Sequence, residues 1–162
     1  MKQKIRHIFR KFGYEIVRST PNQIGKNPLA DIVKFLHNDH PVIFDVGANV
    51  GQSIQKFRAQ IPNCTIHSFE PSPTTFETLG QQASELMDVH LWNHALGSVP
   101  GRMTFLENSH SEMSSFLPLS NLGWGSVTKE TLVEVKTIDQ FCHDENVGRI
   151  DVLKSDTQGF RS

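Results

Sequence analysis

The stretch Asp45-Val46-Gly47-Ala48-Asn49-Val50-Gly51 decides the fold, because it joins a short apolar run to a helical pattern through two glycines. The run before it, Val42-Ile43-Phe44, is typical of a strand that is buried on both faces of a parallel sheet. Ile54 and Phe57 begin the helical pattern after it. A helix that starts at such a turn presents free N–H groups and the positive end of its dipole, which attract an anionic ligand group.

A carboxylate at the end of the next predicted strand indicates what this ligand contains. Glu70 directly follows the strand pattern Thr65-Ile66-His67-Ser68-Phe69. A doubly wound fold places at this point the acid that binds ribose hydroxyls. We therefore predict a ligand with an adenosine-like ribose and an anionic or zwitterionic portion.

A dinucleotide cofactor is the main alternative at this turn. The dinucleotide fingerprint is GxGxxG, whereas Gly47 and Gly51 have the spacing GxxxG, and Asn49 stands where the second glycine would be. This difference favours a cofactor with an amino-acid tail over one with a pyrophosphate. A NAD-dependent oxidoreductase is thus the less favoured interpretation, and glycines that serve packing alone are a further alternative.

The patterns up to Trp92 alternate strand and helix, which predicts an α/β fold with a Rossmann-like, doubly wound, mostly parallel sheet. Two of the helices begin with a capping residue followed by proline. The predicted elements are helices that begin at Asn27-Pro28 and at Ser72-Pro73, the first ending at His40-Pro41, and a third strand at Val89 to Trp92.

The region 98–137 breaks this alternation and predicts a hairpin-like insertion in the sheet. Two strand-like segments there flank a loop rich in serine and glycine. A short helix and a further buried strand follow the insertion. The four segments are predicted at 103–106, 133–136, 138–142 and 150–154.

Length and composition indicate a soluble globular protein with one main domain. The chain has 162 residues, of which 37% are hydrophobic and 20% charged, and its net charge of −1 argues against a nucleic-acid partner. Cys64 and Cys142 are isolated and no histidine has metal-ligand spacing, so we predict neither a disulfide framework nor a metal site. No apolar run approaches the roughly 20 residues of a membrane span. The plain expectation is a cytoplasmic protein.

Residues 1–26 are predicted to form a basic leader and linker ahead of a main domain at 27–162. The segment 1–12 is rich in Lys and Arg and has no acid, and its apolar residues have helical spacing. Such an amphipathic helix could lie on an anionic membrane surface or dock a partner. We favour the simpler expectation that it packs on its own domain.

At these motifs the sequence resembles the FkbM family of S-adenosylmethionine-dependent methyltransferases, which have the class I, Rossmann-like fold. The resemblance covers about residues 27 to 160. Its most specific parts are FDVGANVGQ at 44–52, FEPSP at 69–73 and LKSDTQGF at 153–160; the turn Asn93 to Gly97 and the pair Ser114-Ser115 add to it.

The resemblance implies S-adenosyl-L-methionine as cofactor and a contact for each matching residue. One set of residues would surround the methionine portion of the cofactor, an acid would bind the ribose hydroxyls, and a third set would border the adenine. These sets are Asp45, Gly47, Asn49 and Gly51; Glu70; and Asn93, Ala95 and Leu96.

Methyl transfer displaces a sulfonium at carbon, and the protein mainly supplies positioning. A carboxylate or imidazole near the methyl group can take the proton of a hydroxyl acceptor. Asp156 is the leading candidate, with a helix cap or a structural acid as an equal alternative. His94 and His110 are weaker candidates, since a lone loop histidine is more often solvated. Ser114 and Ser115 are either acceptor-binding or ordinary loop residues.

The family pattern also continues beyond the Gln-Gly-Phe motif, whereas this sequence supplies four core strands, expected in the order 3-2-1-4. We therefore expect an incomplete sheet whose fourth strand is an exposed edge, open to self-association. Two functions follow from this. The chain either methylates a hydroxyl oxygen of a small-molecule or glycan acceptor, or is a catalytically inactive truncated form that only binds cofactor or a partner.

Overall fold

The computed structural model describes Gly25, residues 27–119 and residues 123–157. The predicted leader, apart from Gly25, and the last residues of the C-terminal motif, Gln158 to Phe160, lie outside this part. The helices of the described part are α1 Pro28–Phe35, α2 Gln52–Gln60, α3 Pro73–Ala83 and α4 Ile138–Asp144. Its strands are β1 Val42–Val46, β2 Thr65–Phe69, β3 Val89–Trp92, β4 Ala95–Leu96, β5 Gly101–Asn108, β6 Val127–Lys136 and β7 Val152–Ser155.

The main sheet has four parallel strands in the order β3-β2-β1-β7. This confirms the predicted parallel α/β architecture and the order of its core strands. The two inner strands, β1 and β2, are covered on both faces, so that even their polar residues Asp45 and Ser68 are buried. Four of their apolar side chains have no exposed surface, namely Ile43, Phe44, Ile66 and Phe69.

Helices cover the two faces of this sheet unequally. Alternate residues of β1 point to opposite faces, so Ile43 joins the core formed with α1, α2 and α3, while Phe44 joins the core formed with α4. On the α4 side the ring of Phe141 meets those of Phe44 and Phe69 edge to face, at centroid distances of 5.5 and 4.8 Å. These aromatic contacts fix α4 against the middle of the sheet.

The capping signals in the sequence set the helix starts. The Asn27 side chain accepts a hydrogen bond from the Ala30 N–H at 3.1 Å, and the Ser72 hydroxyl accepts one from the Thr75 N–H at 3.2 Å. Both predicted starts are therefore confirmed. The predicted end of α1 at His40-Pro41 is wrong, because the helix ends at Phe35 and the Asn38 side chain bonds both backbone groups of His40 in a local turn.

The insertion forms a small second sheet. Strands β5 and β6 pair antiparallel along nearly their whole length, which confirms the predicted hairpin-like pair and extends it beyond 103–106 and 133–136. The pattern predicts only a turn at 93–97, whereas Ala95 and Leu96 form β4 and pair parallel with β6. Its strand order is β4-β6-β5. Residues of β4 and β5 line the same cleft as the carboxyl ends of β1 and β2, so the two sheets meet there.

Two strands extend further than their apolar patterns predict. Strand β1 continues through Asp45 to Val46, so that Asp45 lies inside the sheet, in register with Ser68 on one side and Lys154 on the other. Strand β7 begins at Val152 and continues to Ser155. Asp45 is thus a buried polar residue inside β1, which an apolar pattern does not reveal, whereas in β7 Lys154 is partly buried and Ser155 is exposed.

The helices of the described part are all short. Not one of those between Gly25 and Thr157 combines the length and the apolar composition that crossing a membrane requires.

Candidate functional site

A cleft opens at the carboxyl end of the main sheet, where parallel α/β folds place their ligands. The cleft holds about 680 Å³ of empty space, including its open mouth. The turn after β1, the end of β2, strand β4, the insertion and the segment after β7 all contribute to its walls. Seven of the predicted site residues line it: Gly47, Asn49, Glu70, Ala95, Leu96, Ser114 and Asp156.

The turn after β1 forms the floor of the cleft. Gly47 has φ +75°, in the left-handed region that favours glycine. A Cβ atom built at Gly47 would collide with the backbone carbonyl of Asp156. The N–H groups of Gly47 and Ala48 both donate to the Phe69 carbonyl, each at 3.0 Å. The turn is therefore packed tightly between β2 and the segment after β7.

Glu70 is held rigidly at the end of β2. Its carboxylate accepts the Asn49 N–H through Oε2 and the Ser72 N–H through Oε1, both at 2.9 Å. Burial raises the pKa of Glu70, while the two N–H groups favour its ionised form. Each carboxylate oxygen has a second lone pair, so Glu70 can accept hydrogen bonds from ligand hydroxyls in the cleft.

Asn49 supplies a second acceptor to the cleft. Its backbone adopts φ 50°, a conformation that asparagine tolerates better than most residues. Its side-chain oxygen is buried and has no hydrogen-bond partner among the described residues. Such an oxygen is an acceptor that a ligand N–H or ammonium group can satisfy.

Four predicted site residues do not line the cleft: Asp45, Gly51, Asn93 and Ser115. Asp45 is fully buried inside β1. Gly51 precedes α2 and packs near Leu79 of α3. The Asn93 side chain donates to the Glu70 carbonyl at 2.8 Å, so that it supports the backbone of Glu70.

Ser114 and Ser115 have different positions. Ser114 lines the cleft, and its hydroxyl accepts the Asn108 N–H at 3.0 Å. Ser115 is buried, pairs with Leu106 through both backbone groups, and accepts the Leu117 N–H through its hydroxyl. Of the pair, the structure brings Ser114 to the cleft, whereas Ser115 holds the loop in place.

Asp156 is the candidate base that lies at the cleft. Its N–H donates to the Val46 carbonyl at 2.9 Å, which continues the pairing of β7 with β1. Its side chain is 64% exposed, with Oδ2 at 4.0 Å from the Lys154 ammonium. The carboxylate is thus free to meet an acceptor that enters from solvent.

Neither candidate histidine lines the cleft. The His94 ring is buried against Phe69 and Phe141, and burial lowers its pKa. His110 precedes the single 3₁₀ turn Ser111–Met113, and its N–H donates to the Asn108 side chain.

Three residues at or near the cleft are not among the predicted site residues, although Lys154 lies within the motif at 153–160. Ser111 and Glu112 line the cleft from the 3₁₀ turn of the insertion, and this irregular loop carries no periodic signal. Lys154 lies behind the cleft floor, with its ammonium 2.9 Å from both Asp45 Oδ1 and the Gly47 carbonyl oxygen. Only the register of β7 with β1 reveals that contact.

A buried acid ties the insertion to the main domain. Glu107 of β5 accepts the Ser72 hydroxyl at 2.7 Å and the Thr131 hydroxyl at 2.5 Å. Burial opposes the ionisation of Glu107, but hydrogen bonds from Thr131, Ser72 and Thr74 outweigh it and lower the pKa. Since the Ser72 N–H also holds Glu70, this network links the insertion to the Glu70 carboxylate.

We expect Ser72→Ala to destabilise the protein more than Asn27→Ala, although both replace a helix cap. Loss of a cap costs about 1 kcal/mol. Ser72→Ala also removes a hydrogen bond to the buried Glu107 carboxylate, which adds about 1.5–3 kcal/mol. Urea unfolding of the two variants measures the difference, and equal losses would show that the Ser72–Glu107 bond contributes nothing.

No metal site is formed within residues 27–119 and 123–157. Nowhere in that part do three or more His, Cys, Asp or Glu side chains come together in a group that could hold a metal ion.

Comparison with known proteins finds relatives among methyltransferases. The 2-O-methyltransferase NoeI of Sinorhizobium fredii (strain NBRC 101917 / NGR234) is 25% identical over 142 residues, which cover 81% of this chain and 58% of NoeI. Methyltransferase 1 of Beauveria bassiana (strain ARSEF 2860) is 29% identical over 168 residues, covering 82% of this chain and 66% of the relative. The chain therefore spans about 58 to 66% of the length of these two curated relatives.

Two further matches are more limited. The 31-O-demethyl-FK506 methyltransferase FkbM of Streptomyces tacrolimicus is 43% identical over 42 residues, which cover 26% of this chain and 16% of that protein. An rRNA methylase from Streptococcus thermophilus matches 49% of this chain and 56% of its own, with 16% identity and a TM-score of 0.35, too low to bear on the fold.

The family model covers most of the chain. The Methyltransferase FkbM domain matches residues 45–160, from the acid of β1 through the C-terminal motif. This match confirms the resemblance that the motifs indicate. The chain belongs to the FkbM methyltransferase family.

Proposed function

We propose that this chain binds S-adenosyl-L-methionine in the cleft and transfers its methyl group to a hydroxyl oxygen of a small molecule or a sugar. The observation that carries the proposal is the Glu70 carboxylate, which two backbone N–H groups hold at the end of β2. This is the position from which an acid binds ribose hydroxyls in a doubly wound fold. Family membership supports the choice of a methyl-donor nucleoside.

The residues of the cleft fit the cofactor portion by portion. Glu70 would bind the ribose. The unpartnered Asn49 oxygen would accept a hydrogen bond from the ammonium of the methionine portion, above the floor at Gly47. Ala95 and Leu96, both buried in β4, would offer an apolar surface to the adenine. When bound, the cofactor supplies an electrophilic methyl carbon on a sulfonium.

The charge of the cleft favours this cofactor over a dinucleotide. The charged side chains that line it are all acidic, namely Glu70, Glu112 and Asp156, within the part of the chain that the structure describes. Carboxylates attract a sulfonium cation and repel a pyrophosphate. The GxxxG spacing of the turn points the same way, so the oxidoreductase alternative gains no support here.

The acceptor would enter between the insertion and Asp156. Ser114 and Ser111 offer hydroxyl groups on one side, and the exposed Asp156 carboxylate lies at the same cleft. Asp156 would take the proton of the acceptor hydroxyl as the new oxygen–carbon bond forms. NoeI is named a 2-O-methyltransferase and FkbM a 31-O-demethyl-FK506 methyltransferase, and both names support an oxygen acceptor.

Transfer of a radiolabelled methyl group from S-adenosylmethionine to extracts that contain hydroxylated acceptors tests this function. We expect labelled product with the wild-type chain and none with Glu70→Ala. Cofactor binding without any labelled product would instead support the catalytically inactive alternative.

We expect Asp156→Asn to lower kcat by about 10²- to 10⁴-fold, the usual contribution of a general base. Its dissociation constant for S-adenosylhomocysteine should stay within about threefold of wild type, because the carboxylate serves the acceptor rather than the cofactor. The matched control is Glu112→Gln, which removes another acid of the same cleft. Equal turnover of Asp156→Asn and wild type would assign Asp156 a structural role.

A further inference from the structure

We propose that Lys154 is a positioning residue of this site, whose ammonium group holds the β1 turn in shape by binding the buried Asp45 and the Gly47 carbonyl together. The inference rests on the proposed function, since the turn it shapes is the floor of the cofactor cleft. It assigns a task to a residue that lies within the motif at 153–160 but is not among the predicted site residues and does not line the cleft.

The contacts of Lys154 lie at the junction of β1 and β7. Its Nζ atom is 2.9 Å from Asp45 Oδ1, 2.9 Å from the Gly47 carbonyl oxygen and 4.0 Å from Asp156 Oδ2. Asp45 and Lys154 are register partners in neighbouring parallel strands, so their side chains leave the sheet on the same face. The pairing of the strands thus brings the two charges together.

Asp45 is a buried acid whose ionised form the Lys154 ammonium favours. Its side chain has no exposed surface, and burial raises its pKa. Three neighbours act on it: Lys154 of β7 and the Ser53 hydroxyl of α2 favour the ionised form, while Asp156 opposes it. Lys154 is the positive charge among them, so its removal leaves a buried carboxyl group that resists ionisation.

The same ammonium fixes the peptide that follows Gly47. The N–H groups of Gly47 and Ala48 are bound to Phe69 of β2, whereas the Gly47 carbonyl is bound to Lys154 of β7. The two sides of the turn are therefore fixed by opposite neighbours of β1. Without Lys154, the Gly47 carbonyl loses its donor, and the floor of the cleft loses its side-chain contact with β7.

Lys154 acts on the ligand through this turn, because the Gly47 backbone and Asn49 line the cleft and Lys154 itself does not. We expect Lys154→Met to weaken binding of S-adenosylhomocysteine at least tenfold at pH 7.5. Lys154→Arg should bind within about threefold of wild type, since it keeps the positive charge. Lys136→Met is the matched control, because Lys136 is similarly exposed, 23% against 26%, and pairs with Asp144 outside the cleft.

The pH dependence of unfolding identifies the partner of Lys154. In Lys154→Met the folded-state pKa of Asp45 rises further above its unfolded value of about 3.9. A raised carboxyl pKa stabilises the folded state at low pH, and this stability is lost as the pH rises towards the folded pKa. Both proteins lose this stability equally up to the folded-state pKa of Asp45 in wild type, which burial also raises. Above that pKa, the unfolding constant of Lys154→Met relative to wild type should increase by up to about tenfold per pH unit, until the pH reaches the folded-state pKa of the variant.

Replacing both residues separates this effect from a general loss of packing. In Lys154→Met/Asp45→Asn the pH-dependent part of the loss should disappear, because the titrating group is gone. A Lys154→Met variant with the pH profile of wild type, or with the binding of Lys136→Met, would overturn the inference. A folded wild-type chain that binds no S-adenosylhomocysteine would contradict the proposed function instead, and the unfolding measurements would still decide whether Lys154 holds the turn through Asp45.

Discussion

Gly47→Ala is expected to destabilise the protein by roughly 3 kcal/mol or more, at the high end for a single methyl group. Alanine pays about 1–2 kcal/mol in the left-handed backbone region that Gly47 occupies at φ +75°. Its Cβ atom would also collide with the Asp156 carbonyl, which is backbone and cannot rotate away. Relief of the collision requires β7 to move from β1, so the pairing at the carboxyl edge of the sheet is lost as well.

Gly80→Ala is the matched control for this substitution. Gly80 lies inside α3, and a Cβ atom there meets nothing within 4 Å. Alanine should therefore stabilise the helix by about 0.5–1 kcal/mol. Urea unfolding of the two variants should give free-energy changes of opposite sign. A Gly47→Ala protein as stable as wild type would mean that the turn does not press against Asp156.

Glu70→Ala is expected to weaken binding of S-adenosylhomocysteine by about 100-fold or more. A hydrogen bond to a charged acceptor contributes about 1.5–3 kcal/mol, and a ribose offers two hydroxyls to the Glu70 carboxylate. The variant also leaves the Asn49 and Ser72 N–H groups without their acceptor. The edge of the cleft then loses the contact that positions Asn49.

Glu77→Ala separates the loss of this contact from the loss of a negative charge. Glu77 is exposed on α3 and does not line the cleft. Calorimetric titration of both variants, after circular dichroism has shown that each is folded, measures the difference. Equal affinity of Glu70→Ala and Glu77→Ala would remove Glu70 from the binding site.

The sequence predicts best those features that depend on neighbouring residues. The Ser72-Pro73 start of α3 and the strand at 65–69 each have a local cause, a cap or an apolar run, and the structure confirms both. The order of the core strands follows from the handedness of strand–helix–strand units. The doubly wound pattern also predicts an acid at the end of the second strand. That acid, Glu70, lines the cleft.

Features that depend on distant pairings were not predictable in this way. Strand β4 has only two residues and exists because β6, some forty residues later in the chain, pairs with it. The contacts of Glu107 with Ser72 and of Lys154 with Asp45 join residues far apart in sequence. No local pattern of charge or hydrophobicity distinguishes such residues from solvated ones.

Asp45 is a motif residue that lies behind the lining of the cleft. As the first residue of the glycine-containing motif, it is expected to surround the cofactor together with Gly47 and Asn49. In the structure Asp45 lies inside β1, which continues to Val46 before the turn begins. Its side chain is fully buried and pairs with Lys154. Its contribution to the site is therefore expected through the shape of the turn.

Parallel calorimetric titrations of the wild-type chain with S-adenosylhomocysteine and with NAD test most directly what the cleft binds. We expect saturable binding of S-adenosylhomocysteine with a micromolar dissociation constant, about −8 kcal/mol, and much weaker binding of NAD. The acidic lining and the GxxxG turn account for that preference. Tighter binding of NAD than of S-adenosylhomocysteine, or no binding of S-adenosylhomocysteine by a folded chain, would contradict the proposed cofactor.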